Sequence, residues 1–232
     1  YLHRTYPGAN YHSDHEAGYC GFWIHNELTD QGINNIVTNP ADVPTKDKEK
    51  KRKRNRVDCR KLARSLRNGD LDPIYIPDQE ALEDRSLMRC RENKVKQQTR
   101  FKNRIKSFLG FYGIKIPEQF NSGRWSGAFI RWLENIQTEK FTGKRALQID
   151  IDELKHYRKR LAELNRDIRE LSKTERYKER VQNLITIPGI GIITAMTLLV
   201  EIVDINRFKT FDDFVAYIGI VPGERSSGDE DS

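Results

Sequence analysis

The sequence predicts a mixed α/β region followed by an all-helical region, and three observations lead to that fold class. Residues 1–77 alternate between segments with helical and with strand-like patterning. Beyond them, glycine and proline are absent from residue 78 until Gly110, which favours one long helix. Further along, apolar residues recur every 3.5 residues on average over more than three heptads. That spacing is typical of long helices that pair side by side.

The N-terminal region is predicted to alternate helices with short strands. Gly32 and Gly69 mark the ends of the two helical segments. The order of elements predicts a layered α/β arrangement with parallel strand pairing. The predicted segments are a helix at 19–30, a strand at 33–38 (INNIVT), a helix at 57–68 (VDCRKLARSLRN) and a short strand at 73–77 (PIYIP).

The following region is predicted to be helical, with one helix over 78–112 and a shorter one over 128–136. A third helix is predicted from its apolar seam, and Thr210 is a plausible cap for a last helix that starts at Phe211. The seam is typical of a coiled coil, formed either as a hairpin with the 78–112 helix or as a contact between two copies. The seam residues are Leu147, Ile151, Leu154, Tyr157, Leu161, Leu164, Ile168 and Leu171.

The segment LITIPGIGIITAMTLLVEIV at 184–203 places a glycine-containing bend between two apolar helices. Two glycines let the backbone turn sharply, and Ile187 and Ile190 could anchor the turn in the core. Amides at the start of the second helix favour a phosphate, as in a helix-hairpin-helix that holds the DNA backbone. The alternative is an ordinary connection between two core helices. The candidate phosphate-binding residues are Gly189, Ile190 and Gly191.

Basic residues are concentrated in two segments of a chain that carries 41 Lys and Arg against 34 Asp and Glu, a net charge of +7. The segment KDKEKKRKRNR at 46–56 holds eight basic and two acidic residues, and the stretch 85–106 holds nine basic residues and one acid. Such rows attract polyanions, although a single row is often no more than a solvated helix face. The candidate nucleic-acid contacts are Lys51, Arg52, Lys53, Arg54, Arg100 and Arg104.

Composition excludes several classes of protein. The mean hydropathy is −0.76, and the apolar runs are far shorter than the roughly 20 residues of a membrane span. The N-terminal residues have no basic segment followed by an apolar one, so no secretory signal is predicted. Cys20, Cys59 and Cys90 lie far apart without a CxxC pair, which argues against a disulfide framework or a zinc site and favours the cytoplasm.

Glu16 and Asp58 are the carboxylates whose predicted positions suit Mg²⁺ binding, since one precedes a helix and the other lies in a first helical turn. Acids at helix starts usually do no more than complement the helix dipole, and two are too few for a complete site. The neighbouring HxDH pattern, His12 to His15, favours a surface turn over a metal site. On composition alone, the C-terminal residues 221–232 are a polar, disordered tail.

Together these blocks resemble the DEDD-type transposases of bacterial insertion sequences, described as bridge-RNA-guided serine recombinases. The run PGIGIITAMTLLVEIVDINRFKTFDDFVAYIGIVPGERSSG resembles the C-terminal transposase domain, and HEAGYCGFWI, NPADVP and NRVDCRKLARSLRNGDL resemble the RNase H-like domain, which is related to Holliday-junction resolvases. The resemblance implies a partial RNase H-like domain at 1–77, a region of long coiled-coil helices at 78–183 and an incomplete transposase domain with the helix-hairpin-helix at 184–232.

The resemblance also implies site residues. Four acids of the family hold Mg²⁺: the second matches Glu16, the last matches Asp58, and the third falls on Asn55. The first lies on an opening strand that would precede Tyr1, so two of the four acids are expected here. The nucleophilic serine matches Ser227, with Ser226 the weaker candidate.

The function implied is a DNA transposase or recombinase that cuts and rejoins DNA through the serine, aided by the metal-binding acids. Its expected partners are DNA, a guide (bridge) RNA and further copies of the chain through the coiled coil, with no membrane, in the bacterial cytoplasm at the nucleoid. Asn55 and the missing first acid support an alternative, a truncated, non-catalytic protein that binds nucleic acid and dimerises.

Overall fold

The computed structural model describes residues 1–40 and 55–220, with the side chains of residues 55–57 excepted. The chain divides into two compact units, Tyr1–Pro77 and Asp78–Ser232. No described helix is both long and apolar enough to cross a membrane. The helices are α1 (Leu2–Thr5), α2 (Trp23–Asp30), α3 (Asn55–Asn68), α4 (Gln79–Phe111), α5 (Gly127–Asn135), α6 (Phe141–Leu171), α7 (Lys178–Ile185), α8 (Ile192–Ile202) and α9 (Phe211–Ile218), and the strands are β1 (His12–Glu16) and β2 (Asn34–Thr38).

The first unit is built on a sheet of two parallel strands, β1 and β2, in which His12 pairs with Asn34 and Glu16 with Thr38. Helix α2 connects the strands and packs on β2, while α3 packs on β1. Val37 is fully buried and Ile33 nearly so. The predicted strand at 33–38 and the parallel pairing are therefore confirmed, whereas an RNase H-like fold stays a prediction.

Two local predictions in this unit are wrong. The HxDH pattern is the strand β1 and not a surface turn. The PIYIP segment forms a single antiparallel bridge between Pro73 and Thr38, in which the Ile74 amide donates to the Val37 carbonyl at 2.8 Å. Prolines at both ends of the segment lack the amide that a longer ladder needs.

The second unit begins with α4, a helix of 33 residues that confirms the long helix predicted over 78–112. Asp78 caps it, because its carboxylate accepts a hydrogen bond from the Ala81 amide at 2.7 Å. The helix ends at Phe111 with Tyr112 as its C-cap, and Gly113 follows at φ +63°. The chain then turns through a loop to α5, which confirms the short helix predicted at 128–136 within one residue at each end.

Helices α4 and α6 pack along each other, so the apolar seam of α6 is buried against its own chain. Of the two alternatives for the seam, the structure has the intramolecular one. The first core cluster joins the C-terminal half of α4 to α5 and α6. Its buried members are Ile105, Leu109, Phe129, Ile130, Leu133, Ile136, Leu147, Ile151 and Leu154.

A second core cluster lies at the other end of α4, against the end of α6 and helices α7 and α8. Its buried members are Met88, Ile168, Tyr177, Val181, Ala195, Met196 and Val200. Helix α9 follows, and the predicted cap is confirmed: Thr210 accepts from the Asp213 amide at 3.1 Å, and Asp213 accepts from the Thr210 amide at 3.0 Å. The described residues of the second unit, 78–220, therefore form helices and loops without a strand, and their two cores share α4 and α6.

Candidate functional site

Glu16 is the last residue of β1, and its side chain is exposed. Alternation along the strand places Asp14 on the same face of the sheet. The Thr38 hydroxyl donates to the Asp14 carboxylate at 3.1 Å. Burial raises the pKa of Asp14 above its usual value, although this hydrogen bond opposes the shift. The carboxyl end of the sheet thus carries one exposed carboxylate and one half-buried carboxylate.

Asp58 lies in the first turn of α3 and is half-buried. At the other end of α3, Leu66 and Arg67 line a small cavity together with His12, the first residue of β1. Helix α3 also packs on β1. Glu16 and Asp58 are thus carried by two neighbouring elements of the first unit, and their approach to one metal ion stays a prediction.

The described residues do not bring together enough side-chain ligands to hold a metal ion. Nowhere in 1–40 or 58–220 do three His, Cys, Asp or Glu side chains gather closely enough to hold one. The buried ring nitrogens of His15 have no hydrogen-bond partner among the described residues. Glu16 and Asp58 are carboxylates, the donors that Mg²⁺ prefers, but this part of the chain does not bring a third ligand beside them.

The opposite face of the sheet holds a polar network that the sequence did not predict. Asn35 is buried, and its amide donates to the Ser13 hydroxyl at 2.7 Å. The ring Nδ1 of His25, on α2, lies 2.9 Å from the Asn35 side-chain oxygen, so in this pair the imidazole donates and the amide oxygen accepts. Because each contact joins residues from different elements, only the folded sheet reveals it.

The bend between α7 and α8 is exposed at Gly189 and Gly191. Gly189 has φ +90°, a conformation that side chains rarely adopt, and a Cβ atom at either glycine would meet open space. Neither glycine amide has an acceptor in the described part of the chain, whereas the Ile190 amide donates to the Ile187 carbonyl at 3.1 Å. Two unused amides therefore lie in this exposed bend, one at Gly191, the N-cap of α8, and one two residues before it.

Only one of the two predicted anchors of this bend is correct. Ile190 is half-buried and packs against the second core cluster. Ile187 is 48% exposed, so its predicted anchoring role is wrong. The helix-hairpin-helix itself stays a prediction, since the structure gives two helices and an exposed bend but no bound phosphate.

The basic row on α4 divides into residues with and without acidic partners. Arg104, a predicted contact, forms an ion pair of 2.9 Å with the buried Asp150. Arg100 is exposed and has no ion pair with any described residue. Other paired members are Arg85 and Arg89, both with Glu201, and Lys96 with Glu92. The predicted contacts Lys51, Arg52, Lys53 and Arg54 lie outside the described residues.

Two cations contact Trp125 and a third lies one helical turn from one of them, a grouping that the sequence did not predict. We name Lys102 and Lys106 of α4 and Arg158 of α6 the Trp125 cationic cluster. Lys102 Nζ lies 6.0 Å from the centroid of the Trp125 ring, and Arg158 Nη1 donates to the Trp125 carbonyl at 2.9 Å. Arg158 is far from the basic row in sequence, so no local pattern could have indicated it.

The predicted nucleophile Ser227 and its alternative Ser226 lie outside the described residues. Their position after the end of α9 is known from the sequence alone. The structure therefore does not test the assignment of the nucleophile.

Two family models match the chain in the order that the sequence suggested. A transposase model of the DEDD IS110 type matches residues 11–114. A second model, described as the transposase IS116/IS110/IS902 family, matches residues 181–232. The first match covers the sheet, both carboxylates Glu16 and Asp58 and all of α4, and the second covers the bend at Gly189.

Curated proteins from several bacteria are similar to the chain over most of its length. The candidate transposase y4qE of Sinorhizobium fredii is 28% identical over 93% of this chain and 51% of its own length. The transposase for insertion sequence element IS1533 of Leptospira borgpetersenii is 27% identical over 85% of this chain and 56% of its own. The transposase for IS1111A of Coxiella burnetii is 25% identical over 86% of this chain and 53% of its own.

These alignments also show how much of a relative the chain represents. It spans about half the length of the curated relatives that it matches. Both family models describe transposases, and all three relatives are named as transposases. The chain belongs to the DEDD-type transposases of bacterial insertion sequences, in the IS110/IS116 family.

Proposed function

We propose that the chain acts in DNA transposition, as the portion of an insertion-sequence transposase that holds the DNA backbone and supplies a serine nucleophile. The observation that supports this most strongly is the match of two transposase family models to its two ends. The relatives named above are transposases of insertion sequences, which indicates DNA as the substrate.

The geometry of the bend supports the DNA-binding part of the proposal. The amides of Gly189 and Gly191 are exposed, lack acceptors in the described part of the chain and lie at the start of α8. Unused amides at a helix N-terminus favour an anion, and a phosphate of the DNA backbone is the anion that a transposase meets. Neither contact would depend on base sequence.

Ser227 is the proposed nucleophile, by its match to the family motif. Its Oγ would attack a DNA phosphorus atom and lose its proton. The bond from that phosphorus to a deoxyribose oxygen would break, and this oxygen would take up a proton as a hydroxyl. The product is a covalent phosphoserine ester, and reversal of the same step with another DNA hydroxyl rejoins the strands without an external energy source.

Glu16 and Asp58 are the two residues of the proposal that would hold Mg²⁺. When bound, a divalent ion stabilises negative charge on phosphoryl oxygens. Because the described residues do not complete its ligand set, the cleavage step above is derived without it. A guide RNA and a location at the nucleoid of the cytoplasm are further parts of the proposal, supported by the family resemblance alone.

Assembly of several copies through the coiled coil stays a prediction without structural support. The seam residues Leu147, Ile151, Leu154, Leu161 and Ile168 are buried within the described part of the chain. A contact between copies through those side chains would require α4 and α6 to separate.

A strand-cleavage assay tests the nucleophile. The chain is incubated with supercoiled DNA that carries the element's ends, together with the guide RNA and Mg²⁺, and protein covalently bound to DNA is measured on denaturing gels. We expect Ser227→Ala to abolish the covalent product and Ser226→Ala, the matched control, to retain it. Retention of the product by Ser227→Ala would refute the assignment.

A second candidate is a non-catalytic protein that binds nucleic acid. Asn55 occupies the position of a family acid, and no third ligand gathers near Glu16 and Asp58 in the described residues. Both observations favour it. Salt-dependent DNA binding by the unaltered chain, with no cleavage at any Mg²⁺ concentration, would establish this candidate and exclude the enzyme.

A further inference from the structure

The Trp125 cationic cluster brings together three positive charges from two helices. Lys102 and Lys106 lie one turn apart on α4, and Arg158 comes from α6, which packs against it. The Trp125 loop lies between them, since it receives the Arg158 hydrogen bond and its ring lies beneath the Lys102 ammonium. All three cations are therefore carried by the packed helices α4 and α6, and two of them also contact Trp125.

No carboxylate neutralises this cluster within the described residues. Lys102, Lys106 and Arg158 form no ion pair there, whereas Lys96 and Arg104 on the same helix do. Burial lowers the pKa of Lys102, and the positive charges of Arg158 and Lys106 lower it further. The nearest charges that Lys102 experiences are thus of its own sign.

Like charges held this close destabilise the folded chain, both along one helix and across two. A bound polyanion would remove that repulsion. Trp125 is half-buried and packs edge to face on Phe129, with ring centroids 5.2 Å apart, so its ring is not an open platform for a nucleic-acid base. The cluster therefore fits a phosphate backbone better than an unstacked base.

We propose that the Trp125 cationic cluster is a binding site for the phosphodiester backbone of duplex DNA. The site is distinct from the Gly189 bend and from the carboxylates of the sheet. It rests on the proposed function, in which the chain acts on DNA.

The test compares DNA binding by the full chain and by Lys102→Gln/Lys106→Gln/Arg158→Gln. A labelled duplex of random sequence is titrated at several salt concentrations. Each lost phosphate contact reduces the slope of log K against log salt by about 0.9 for duplex DNA. We expect the triple variant to bind roughly tenfold more weakly or worse at low salt and to have a slope shallower by about 2 to 3.

A matched control changes three cations that already have acidic partners, Lys96, Lys155 and Lys173, to glutamine. Their partners are Glu92, Glu134 and Glu170. This control alters the net charge by the same amount, so a non-specific charge effect would reduce both slopes equally. We expect its slope to change by less than about 1.

Thermal unfolding separates lost binding from lost structure. We expect the triple variant to melt within a few degrees of the unaltered chain, because the removal of repulsion offsets the loss of the hydrogen bond from Arg158 to the Trp125 carbonyl. The single variant Lys106→Gln changes an exposed position, so it provides a second measure, and it should reduce the slope by about 1.

The outcomes are distinguishable. If the triple variant and Lys106→Gln retain the original affinity and slope, the cluster is not a DNA site, while DNA binding by the chain stands. If the unaltered chain binds no duplex at low salt, the proposed function fails as well. If the triple variant loses affinity for a single-stranded RNA probe of equal length but not for the duplex, the cluster belongs to RNA and the proposal is overturned.

Discussion

The two halves of α4 carry similar numbers of basic residues but differ in what surrounds them. In the N-terminal half, Arg85 and Arg89 both meet Glu201, and Arg89 does so through two hydrogen bonds of 2.8 and 2.9 Å. In the C-terminal half, Lys102 and Lys106 have no acidic partner in the described chain and instead face Arg158. The two arginines of the N-terminal half stabilise the fold, whereas in the C-terminal half Arg104 is neutralised by Asp150 and the charges of Lys102 and Lys106 are available to a ligand.

The difference lies in the partner helices and not in α4 itself. Helix α8 contributes Glu201 to the N-terminal half, whereas α6 contributes Asp150, the partner of Arg104, and the cation Arg158 to the C-terminal half. The number of basic residues in a sequence segment is thus the largest number of cations that could bind a ligand there, because some of them form ion pairs in the fold. The four predictions below test this distinction, beginning with the apolar contacts that both halves share.

The largest effect on stability is expected from the two cores, since each half of α4 contributes buried side chains to one of them. Ile105→Ala, at a fully buried position of the C-terminal half, should lower the free energy of unfolding by about 2 to 5 kcal/mol, because it leaves a cavity. Met88→Ala in the N-terminal half should fall in the same range. Urea denaturation measures both, and Cys90→Ala, an exposed change on the same helix, should cost less than about 0.5 kcal/mol. A negligible loss for Ile105→Ala would contradict the packing described.

Glu201→Gln should destabilise the N-terminal half and also increase DNA binding. Arg85, whose side chain is 14% exposed, and Arg89 would lose their common carboxylate. A loss of about 1 to 3 kcal/mol is expected, between the values for exposed and for buried pairs. The freed cations should steepen the salt dependence of DNA binding. Unchanged stability and unchanged binding together would show that the two halves do not differ.

Tyr177→Phe tests a hydrogen bond in the core beside the N-terminal half. The Tyr177 hydroxyl donates to Asp84 at 2.7 Å, and its loss should cost about 0.5 to 1.5 kcal/mol. Burial, more than this hydrogen bond, raises the pKa of Tyr177 from 10.0 to about 12.

The raised pKa means that folding favours the protonated Tyr177 hydroxyl. The contribution of this group to the free energy of unfolding is therefore complete below pH 10. It should be lost as the pH rises from 10 through about 12. Denaturation curves across that window should fall less steeply with pH for Tyr177→Phe than for the unaltered chain. Parallel curves for the two proteins would refute the coupling.

The smallest effect is expected from Lys102→Gln, which should be neutral or stabilise the chain by up to about 0.5 kcal/mol. The substitution removes a charge that faces Lys106 and Arg158. In contrast, Arg104→Gln should be destabilising, because it leaves Asp150 buried without its cation. Opposite signs in urea denaturation would confirm that neighbouring cations on one helix have different roles.

The sequence was informative wherever a pattern was local. The absence of glycine and proline after residue 78 predicted α4, and the 3.5-residue spacing predicted the seam of α6. Thr210 was predicted as a cap from its own neighbours. Each of these features depends on a few residues close together in the chain, so propensity and periodicity are sufficient to find it.

Features that depend on distant residues were missed or wrong. The strand β1 is short and rich in His, Asp and Ser, with no apolar alternation to reveal it, and its pairing with β2 determines its conformation. Ile187 was taken as an anchor from its hydrophobicity, but the bend leaves it at the surface. Asp150 and Glu201 neutralise arginines that are far away in sequence, which no local pattern indicates.

The family motif located two candidate acids, Glu16 on β1 and Asp58 on α3, and their joint role in holding a metal ion stays a prediction. Ser227 and the basic residues Lys51–Arg54 lie outside the described residues.

Helix α4 extends about 50 Å and, together with α6, contributes side chains to both cores of the second unit. Melting of either end would strip apolar cover from the adjacent cluster and leave the remaining turns without tertiary support, and isolated helices have little stability in water. Residues 78–220 should therefore lose their structure in a single cooperative transition, with damage at one end felt at the other.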